Sequence, residues 1–485
     1  MAQLTIQKGS ATETIEFTPP KFLGSLLEEA GFRKAHPCGG RGICGKCAVE
    51  LQGAVSEPNG AEKKAGTRLS CQAVIQGDAK VVLPDGEGMT QIETATYTEV
   101  KLGIPMTGAV GAALDIGTTT MALRRYDLKT GKLMGESAME NPQTAVAADV
   151  MGRIGAAMEG QLPKLRDQVR DGISQLLEKA GGAVDTMVIT GNTTMLYLLT
   201  DRDPKCLSAY PFQADTLFDR DWLLADTAVY FPPCMNAFVG ADIACAVLAS
   251  GMCEGETALL CDIGTNGELA LWKDGTLYVT STAAGPAFEG AGISCGCGSV
   301  PGAIDKAWTE AGDLCLHTIA GAAPVGLCGS GLIDVAAALL DLEWMDETGA
   351  LEDADIALAP GVTLLQKDIR AVQLAKAAIA AGIETLLEAS GTDYQQIKKL
   401  YIAGGFGSHL NIQSAARIGL IPAELTERVE IIGNAALAGA AQILLDREKI
   451  QQVRQIAASS RHWNLGGNPR FNEYYMNAML FPFEE

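Results

Sequence analysis

The sequence predicts an α/β protein of two to four domains, with an α+β domain at its N-terminus. Three observations support this fold class. The length of 485 residues is too great for a single compact core. Four cysteines lie within residues 38–71, between segments that alternate like β-strands. From residue 109 onward the chain shows weak internal symmetry, with one strand–turn–strand pattern in each of two halves.

The composition excludes several classes of protein. Hydrophobic residues make up 47% and charged residues 20%, as in an ordinary globular protein. The net charge of −21 argues against nucleic acid and anionic membrane as partners, because both attract basic surfaces. The first residues show no basic segment followed by an apolar core, and no uncharged apolar run reaches membrane length. We therefore expect a cytoplasmic protein whose cysteines are reduced thiols or metal ligands.

Cys38, Cys44, Cys47 and Cys71 are the candidate ligands of a metal centre. Their spacing is C-x5-C-x2-C followed by a distant fourth cysteine, one residue longer in the first gap than the plant-type [2Fe–2S] pattern. Three thiolates so close in sequence need an irregular loop to point at one centre, and the glycines between them allow it. Structural zinc is the alternative, but it usually shows two C-x2-C pairs, and only one is present here. The spacing therefore favours an iron–sulfur cluster.

The residues around these cysteines predict a small domain over residues 1–86. LTIQKG and TIEFTP alternate like a hairpin, LGSLLEEAGF is typical of a helix, and VVLPDGEG ends the unit. This arrangement resembles the β-grasp fold of [2Fe–2S] ferredoxins. The domain holds 10 Lys and Arg against 9 Asp and Glu, so the acidic excess lies in the rest of the chain. That part begins with a polar, turn-rich linker over residues 87–108.

Two Asp-Ile-Gly-Thr turns, Asp115–Thr118 and Asp262–Thr265, predict a pair of phosphate-binding hairpins. In each, a Gly-Thr turn at a strand end points N–H groups and hydroxyls outward, which forms an anion-binding nest. The preceding aspartate repels phosphate but can hold a hydrated Mg²⁺ beside it. Each half also carries a later strand that ends in glycine. We therefore divide this region into two subdomains, residues 109–255 and 256–485.

The repeated pattern resembles the superfamily of acetate and sugar kinases, heat-shock chaperone ATPases and actin, whose core is a duplicated ribonuclease-H-like fold. The resemblance implies a first phosphate segment at Asp115–Thr120, a second at Asp262–Glu268 and an adenosine segment at Ala403–Ser408. The residues that it assigns to ATP and Mg²⁺ are Asp115, Gly117, Thr118, Thr119, Thr120, Asp262, Gly264, Thr265, Asn266, Gly404, Gly405 and Phe406.

Two further segments each have two open interpretations. In sugar kinases of this superfamily an aspartate at a similar helix start acts as general base, a role that the resemblance assigns to Asp242 in FVGADI. Aspartate at a helix start is equally typical of an N-cap. Gly329 and Ser330 begin an apolar helix whose N-terminus could contact the nucleotide. Their small size is also typical of close helix–sheet packing.

Two remaining features are interpreted as structural. Cys295 and Cys297 form a C-x-C pair without further ligands nearby in sequence, which is typical of buried, unreactive thiols rather than of a redox site. Near the C-terminus, Phe471, Tyr475 and Met479 recur at helical spacing. This segment is predicted to form a docking helix that packs on the core.

The chain as a whole resembles the reductive activators of corrinoid proteins. The motifs that carry the resemblance are C-x5-C-x2-C with Cys71, ALDIGTTT, ITGNTTM, FVGADI, CDIGTNGEL, AAGPAFEGA and IAGGFG. The resemblance implies that a [2Fe–2S] cluster passes one electron to an inactive Co(II) corrinoid protein of a methyltransferase system and restores Co(I), with ATP and Mg²⁺ in control. It also implies an upstream donor such as a ferredoxin or flavodoxin, and it allows a homodimer. Longer members carry an extra middle domain, which we expect this chain to lack.

Two other functions are compatible with the same residues. A small-molecule or acyl-phosphate kinase with a redox-sensing ferredoxin domain would use Asp242 as its base. A pure electron-transfer module would bind ATP only as a regulatory ligand. Phosphorylated product would identify the first, and negligible ATPase activity in the presence of a partner would identify the second.

Overall fold

The computed structural model describes residues 1–8, 11–30, 32, 47–83, 100–353, 355–405 and 409–482. Cys38, Cys44, Phe406 and most of the predicted linker lie outside the described residues. Within those ranges, every helix is too short or insufficiently apolar to cross a membrane.

The N-terminal domain is a six-stranded sheet with one helix packed on it. Its elements are β1 (Ala2–Lys8), β2 (Ala11–Phe17), β3 (Lys21–Phe22), α1 (Leu23–Glu29), β4 (Ala48–Val55), α2 (Gly60–Ala65), β5 (Arg68–Leu69) and β6 (Val74–Leu83). The strands lie in the order β2-β1-β6-β4-β5, with β3 also paired to β6, and β1 runs parallel to β6. Leu4 and Ile6 of β1 are buried at period two. Leu23, Leu26 and Leu27 of α1 join the same core, which confirms the predicted ferredoxin-like fold.

The first subdomain of the remaining chain is built on a second six-stranded sheet. Its elements are β7 (Val110–Ile116), β8 (Thr120–Asp127), β9 (Leu133–Glu140), α3 (Val150–Ala156), α4 (Leu162–Lys179), β10 (Thr186–Gly191), α5 (Thr193–Leu199), β11 (Phe218–Leu224), β12 (Thr227–Pro233) and α6 (Ala241–Ser250). The strand order is β11-β12-β10-β7-β8-β9. On α4, Leu165, Val169, Ile173 and Leu176 recur every three or four residues and are buried, so this helix packs on the sheet along one face.

The second subdomain repeats this plan and adds two small sheets. Its strands are β13 (Ala258–Ile263), β14 (Gly267–Lys273), β15 (Thr276–Thr282), β16 (Ala303–Glu310), β17 (Asp313–Thr318), β18 (Gly326–Leu327), β19 (Asp355–Ala359), β20 (Val362–Leu365), β21 (Lys399–Ala403), β22 (Val429–Gly433) and β23 (Ser460–His462). Its helices are α7 (Gly329–Asp341), α8 (Gln366–Ser390), α9 (Ile412–Arg417), α10 (Ala435–Leu445), α11 (Lys449–Ser459) and α12 (Pro469–Ala478). The main sheet has the order β22-β21-β13-β14-β15-β23.

The two main sheets share a five-stranded core with the same order and directions. In the first, β12-β10-β7 are parallel neighbours, and β7-β8-β9 are antiparallel. In the second, β22-β21-β13 are parallel, and β13-β14-β15 are antiparallel. This correspondence confirms the duplicated α/β core predicted from the two Asp-Ile-Gly-Thr turns.

One hydrophobic cluster joins the two subdomains. It contains Ala113 and Val188 from the first and Leu260 and Leu444 from the second. Helices α6 and α10 pack here so closely that a Cβ on Gly439 would lie 2.1 Å from a carbonyl oxygen of α6. The small residues of α10 therefore hold the halves together at the base of the cleft between them.

Helix α12 packs on α8, as predicted for the C-terminal segment. The aromatic rings of Phe471 and Tyr475 lie 5.9 Å apart, and Tyr475 packs against the core of the second subdomain. At the end of the helix, the Lys376 ammonium group donates to the carbonyl oxygens of Ala478 and Leu480 at 2.6 and 2.7 Å. These bonds satisfy carbonyl groups that a helix end leaves without partners.

Candidate functional site

The turn between β7 and β8 forms the first candidate phosphate loop. Strand β7 is almost entirely buried, and it ends at Asp115 and Ile116. The Gly117 N–H donates to the Thr120 carbonyl oxygen at 2.9 Å and closes the turn. A Cβ on Gly117 would lie 2.6 Å from that oxygen, so the turn requires glycine. Thr118 and Thr119 stand at its tip.

Side chains from three other segments hold this loop in place. The Asn141 amide donates to the Gly117 carbonyl oxygen at 2.8 Å, and the Asn192 amide donates to the Thr118 hydroxyl at 3.1 Å. From the interior, the guanidinium of Arg153 donates to the Thr118 carbonyl oxygen. Arg153 is fully buried, and burial lowers the pKa of its guanidinium to about 9. Bonds to both backbone and hydroxyl restrict the loop to one conformation.

The turn between β13 and β14 forms the second candidate phosphate loop and meets the first. The Gly264 N–H faces the Asn266 carbonyl oxygen at 3.2 Å across the turn. At the tips, the hydroxyls of Thr119 and Thr265 lie 3.0 Å apart. The structure therefore brings the two predicted phosphate segments, which are 146 residues apart in sequence, into direct contact.

A glutamate from a third segment bridges both loops. The carboxylate of Glu289 accepts from the Thr119 hydroxyl at 2.7 Å. It also accepts from the Thr265 N–H at 3.0 Å and from the Thr265 hydroxyl at 2.9 Å. Burial raises the pKa of Glu289, and these hydrogen bonds oppose the shift because they favour the ionised form.

Five carboxyl groups lie close together beneath the loops, of which Glu268 is buried and Asp115, Asp242, Asp262 and Glu289 are partly buried. Burial raises the pKa of Asp115 to about 7, that of Asp242 to about 8 and that of Asp262 to about 6. Burial also raises the pKa of Glu268, and the charges of Asp242 and Asp262 add to the shift. Together with Glu289 these groups form a region where ionised carboxylates repel one another, so a cation would stabilise their ionised form.

Among the described residues, no three His, Cys, Asp or Glu side chains are placed to hold one metal ion. Mg²⁺ usually keeps several of its water ligands and is bound through one or two carboxylates. The carboxyl groups at this site therefore have the donor chemistry that a hydrated Mg²⁺ requires.

The predicted adenosine segment begins beside the same aspartates. Gly404, which follows β21, has a φ of +95°, and its N–H donates to the Gly433 carbonyl oxygen at 2.9 Å. A Cβ on Gly404 would lie 2.8 Å from a carboxylate oxygen of Asp262. Asn434, which follows Gly433, is the N-cap of α10, and its side-chain amide donates to the carboxylate of Asp115 at 3.0 Å. Asp262 thus lies against the segment expected to hold adenosine, whereas Asp115 contacts the start of α10.

Asp242 lies within the acidic cluster and is not an N-cap. The N-cap of α6 is Gly240, which packs so tightly that a Cβ there would lie 2.4 Å from the Asn192 Cα. Asp242 follows in the first turn, where its carboxylate accepts the N–H of Ile243 at 2.8 Å. The N-cap interpretation was therefore wrong. The placement leaves Asp242 available as a base or as a partner of a metal-bound water.

The start of α7 is packed closely on β16. A Cβ on Gly331 would lie 2.1 Å from the Ile304 carbonyl oxygen, and the Ser330 hydroxyl donates to the Asp305 carbonyl oxygen at 3.0 Å. Gly329 is the first residue of the helix. The close packing explains these small residues, and a nucleotide contact by Gly329 or Ser330 stays a prediction.

Two of the four predicted cluster ligands face each other in the N-terminal domain. The Sγ atoms of Cys47 and Cys71 lie 3.2 Å apart, far longer than the roughly 2 Å of a disulfide. Cys47 is buried, and Cys38 and Cys44 precede it in the sequence, outside the described residues. The Gln72 amide donates to the Cys71 sulfur at 3.7 Å. Two adjacent thiols with a hydrogen-bond donor beside one of them fit the ligand set of an iron–sulfur cluster.

The backbones of Cys295 and Cys297 are fixed against β18. The Leu327 N–H donates to the Cys295 carbonyl oxygen at 2.8 Å, and the Cys297 N–H donates to the Leu327 carbonyl oxygen at 3.0 Å. Gly326 faces this pair closely, because a Cβ on it would lie 2.8 Å from the Cys297 sulfur. Both side chains are only partly buried, so the predicted burial of these thiols was wrong, and their structural role stays a prediction.

Comparison with known proteins identifies the family. Family models match the 2Fe–2S iron–sulfur cluster binding domain at residues 6–76, the RACo middle region at 110–255 and the C-terminal domain of RACo, the ASKHA domain, at 256–485. The corrinoid activation enzyme RamQ of Eubacterium limosum is 34% identical over 416 residues, which are 76% of this chain and 70% of RamQ. The chain belongs to the RACo family of corrinoid activators.

Two other RACo-like proteins resemble the chain over most of its length. A Co(II) methylated amine-specific corrinoid protein reductase from Methanosarcina barkeri is 24% identical over 417 residues, which are 76% of this chain and 77% of the reductase. A solved structure titled reductive activator for corrinoid, iron–sulfur protein is 25% identical and has a TM-score of 0.71 over 99% of this chain and 98% of that one. These matches agree with the order of domains described above.

The RACo middle region corresponds to the first subdomain of the core. It matches residues 110–255, whereas the extra domain that this chain was expected to lack would lie between the cluster domain and the ATPase core. These residues form the sheet that carries the first phosphate loop. The middle region is therefore present in this RACo protein, as the first half of its ATPase core.

Several site residues of this RACo protein were not singled out from sequence. Glu289 lies in the AAGPAFEGA motif, and Asn434 lies in a segment interpreted as helix packing. Arg153 and Asn141 belong to no motif that we recognised. The only available signal was the AAGPAFEGA motif itself, because a charged residue within a glycine-rich loop is unusual unless it meets a ligand or a buried donor.

Proposed function

We propose that this RACo protein is an ATP-dependent reductive activator, which transfers one electron from a [2Fe–2S] cluster to an inactive Co(II) corrinoid protein and restores Co(I). The supporting observation is the presence, on one chain, of facing cluster thiols and a paired phosphate site. Cys47 and Cys71 lie in the N-terminal domain, and the loops at Asp115 and Asp262 lie in the duplicated core. Proteins named for corrinoid activation are similar to this chain over most of its length.

The cluster would be held by Cys38, Cys44, Cys47 and Cys71. Such a cluster supplies one electron at a time. The roles of this chain are to place the thiolates, to exclude water with the buried Cys47, and to donate a hydrogen bond from Gln72 to the Cys71 sulfur. Hydrogen bonds to sulfur favour the more negative, reduced state and help to set the potential.

The two loops would bind the phosphates of ATP. The Thr119 hydroxyl, the Thr265 hydroxyl and the Thr265 N–H point at one place and can donate to phosphate oxygens. The ionised carboxylates of Asp115 and Asp262 would accept hydrogen bonds from water on Mg²⁺. Gly404 and Gly405 would leave room for the adenosine, because a side chain at Gly404 meets Asp262.

ATP is needed because the transfer runs uphill. Plant-type clusters have potentials near roughly −400 mV, and the Co(II)/Co(I) couple of the family is expected to be lower. For one electron, each 59 mV corresponds to about 1.4 kcal/mol. A difference in partner affinity between nucleotide states supplies a few kcal/mol, the usual scale of coupling between sites. We therefore expect ATP to control affinity for the Co(II) partner, with a low-potential ferredoxin or flavodoxin in the cytoplasm as the donor.

The test is anaerobic purification followed by spectroscopy. Iron and sulfide are counted first, and a Co(II) corrinoid protein is then followed for Co(I) absorbance. We expect Co(I) only when reductant, this protein and ATP are all present. Absence of a cluster, or Co(I) formation that does not need ATP, would contradict the proposal.

A kinase with a redox-sensing ferredoxin domain is the second candidate. The position of Asp242 favours it, because the carboxyl group is partly buried beside the phosphate loops and its pKa is raised to about 8, which suits a general base. The same experiment separates the two, since a kinase would convert ATP with formation of a phosphorylated small molecule and without any change at cobalt.

A further inference from the structure

The glycine-rich loop, residues 283–302, is fixed to the phosphate site at two points. The Gly285 N–H donates to the Thr265 carbonyl oxygen at 2.9 Å. Four residues later, Glu289 bonds to Thr119 and Thr265. Beyond these points, the N–H and the hydroxyl of Ser294 both donate to the carboxylate of Asp368, at 2.8 and 3.0 Å. Glu289 is thus a charged group held between two anchored ends of one loop.

The Glu289 carboxylate accepts hydrogen bonds from the same groups that are expected to donate to the phosphates of ATP. The Thr119 hydroxyl, the Thr265 hydroxyl and the Thr265 N–H all donate to it within 3.0 Å. Each hydroxyl has one hydrogen to donate, and so does each backbone N–H. These three donors therefore cannot give their hydrogen bonds to a phosphate oxygen and to the Glu289 carboxylate at the same time. Their negative charges would also repel each other at this distance.

We propose that Glu289 is a positioning residue that competes with the phosphates of ATP for Thr119 and Thr265, and that its displacement transmits nucleotide binding to the glycine-rich loop. The carboxylate joins a threonine of each half, so displacing it removes a bridge between the halves. It also removes one restraint from a loop that remains anchored at Gly285 and Ser294 and by the buried side chains of Phe288 and Ile293.

This inference rests on the proposed function in one respect: the loop is the element through which ATP alters affinity for the corrinoid protein. The glycines of the loop allow such a change. Four of them have positive φ values between +74° and +85°, namely Gly285, Gly290, Gly292 and Gly302. Residues with side chains rarely adopt these angles, so the loop has conformations that an ordinary loop lacks.

The first test is the affinity of the complete protein for MgATP, measured by anaerobic calorimetry without any partner. The Glu289→Gln variant keeps the size of the side chain and removes its charge. We expect its Kd for MgATP to fall about tenfold, the effect of about one charge-assisted hydrogen bond that no longer has to be broken. Glu289→Asp retains the charge and should stay near the wild-type value. The exposed Glu352→Gln is the matched control.

A weaker or unchanged affinity of Glu289→Gln for MgATP would overturn the inference, because it would make Glu289 a partner of the bound Mg²⁺ or a bystander. Hydrogen exchange of the wild-type protein provides a second measurement that needs no variant. We expect exchange within residues 286–293 to rise when MgATP binds, and unchanged or slower exchange there would also contradict the inference.

A third arm addresses the link to the partner. The ratio of corrinoid-protein affinities with and without MgATP should move toward one in Glu289→Gln, and a ratio equal to that of the wild type would refute the link. The calorimetric arm does not depend on cobalt reduction. A failure of the wild-type protein to form Co(I) would therefore count against the proposed function alone, and not against the competition at Glu289.

Discussion

The substitution Gln72→Leu is expected to lower the reduction potential of the cluster. The Gln72 amide donates to the Cys71 sulfur at 3.7 Å, and its carbonyl oxygen accepts from the Asn59 amide at 2.8 Å. Asn59 is itself fixed as the N-cap of α2, in a capping box with the buried Glu62. This chain of bonds orients the Gln72 amide toward Cys71, where the same nitrogen also donates to the carbonyl oxygen at 3.4 Å, so leucine would remove a donor to the sulfur.

The size of the effect follows from one lost hydrogen bond. The added electron increases negative charge on the sulfur ligands, so a donor stabilises the reduced state and its removal makes the potential more negative. A hydrogen bond contributes about 0.5–1.5 kcal/mol net, which corresponds to about 20–65 mV for one electron. Because the N···S distance of 3.7 Å is long, we expect a shift at the lower end of this range, about 20–30 mV.

The assay is a spectroelectrochemical titration of the complete protein under anaerobic conditions. Gln52→Leu is the matched control, because Gln52 is exposed on β4 and its side chain has no hydrogen bond within the described part of the chain. Equal potentials for wild type and Gln72→Leu, or a shift to more positive values, would refute the role of Gln72. Equal shifts in both variants would show that leucine acts through the surface rather than through the sulfur.

Three further predictions concern the ATPase core. Burial raises the pKa of Asp242 to about 8 and that of Asp115 to about 7, so both groups lose their negative charge as the pH falls from 9 to 6. Calorimetry should therefore show a falling affinity for MgATP over this range. An affinity that does not change with pH would contradict the need for ionised carboxylates. Gly404→Ala should weaken nucleotide binding at least about tenfold, because the new Cβ would lie 2.8 Å from a site carboxylate. Gly60→Ala in α2 is the control, because a Cβ there meets nothing within 4 Å, and it should bind nucleotide normally. Lys376→Met should destabilise the docking of the C-terminal helix by about 1–3 kcal/mol, because two carbonyl groups lose their hydrogen-bond donor. Urea unfolding and limited proteolysis would measure the loss of stability. A variant as stable as the wild type would contradict the prediction.

Local patterns in the sequence predicted the loops correctly. The Gly117 turn needs glycine because a Cβ would meet the Thr120 carbonyl oxygen three residues away. This requirement involves only four consecutive residues, so the local sequence is enough to predict it. The duplication was predictable for the same reason, since each half repeats a strand, a turn and a strand in direct succession. The cysteine spacing likewise depends on one short loop and one returning strand.

Contacts between distant segments could not be predicted in this way. Asn434 reaches Asp115 from 319 positions away, and its segment alone is typical of a helix start. Arg153 bonds to backbone carbonyl oxygens rather than to a carboxylate, so no partner of opposite charge marks it in the sequence. The sequence left the role of Asp242 open between N-cap and base, because the close approach of Gly240 to Asn192 at the start of α6 is a tertiary contact.

The two halves share a topology but differ in the chemistry that supports their phosphate loops. The first loop is held through its carbonyl oxygens by Asn141 and Arg153, which are donors that an incoming phosphate does not need to displace. The second loop is held through its donors, by the carboxylate of Glu289. An anion entering between the loops therefore leaves Asn141 and Arg153 in place, but it competes with Glu289 for the Thr119 hydroxyl of the first loop and for both donors of Thr265 in the second. Because the backbone supports of the first loop remain and the glycine-rich loop belongs to the second subdomain, nucleotide binding should change the second subdomain more than the first.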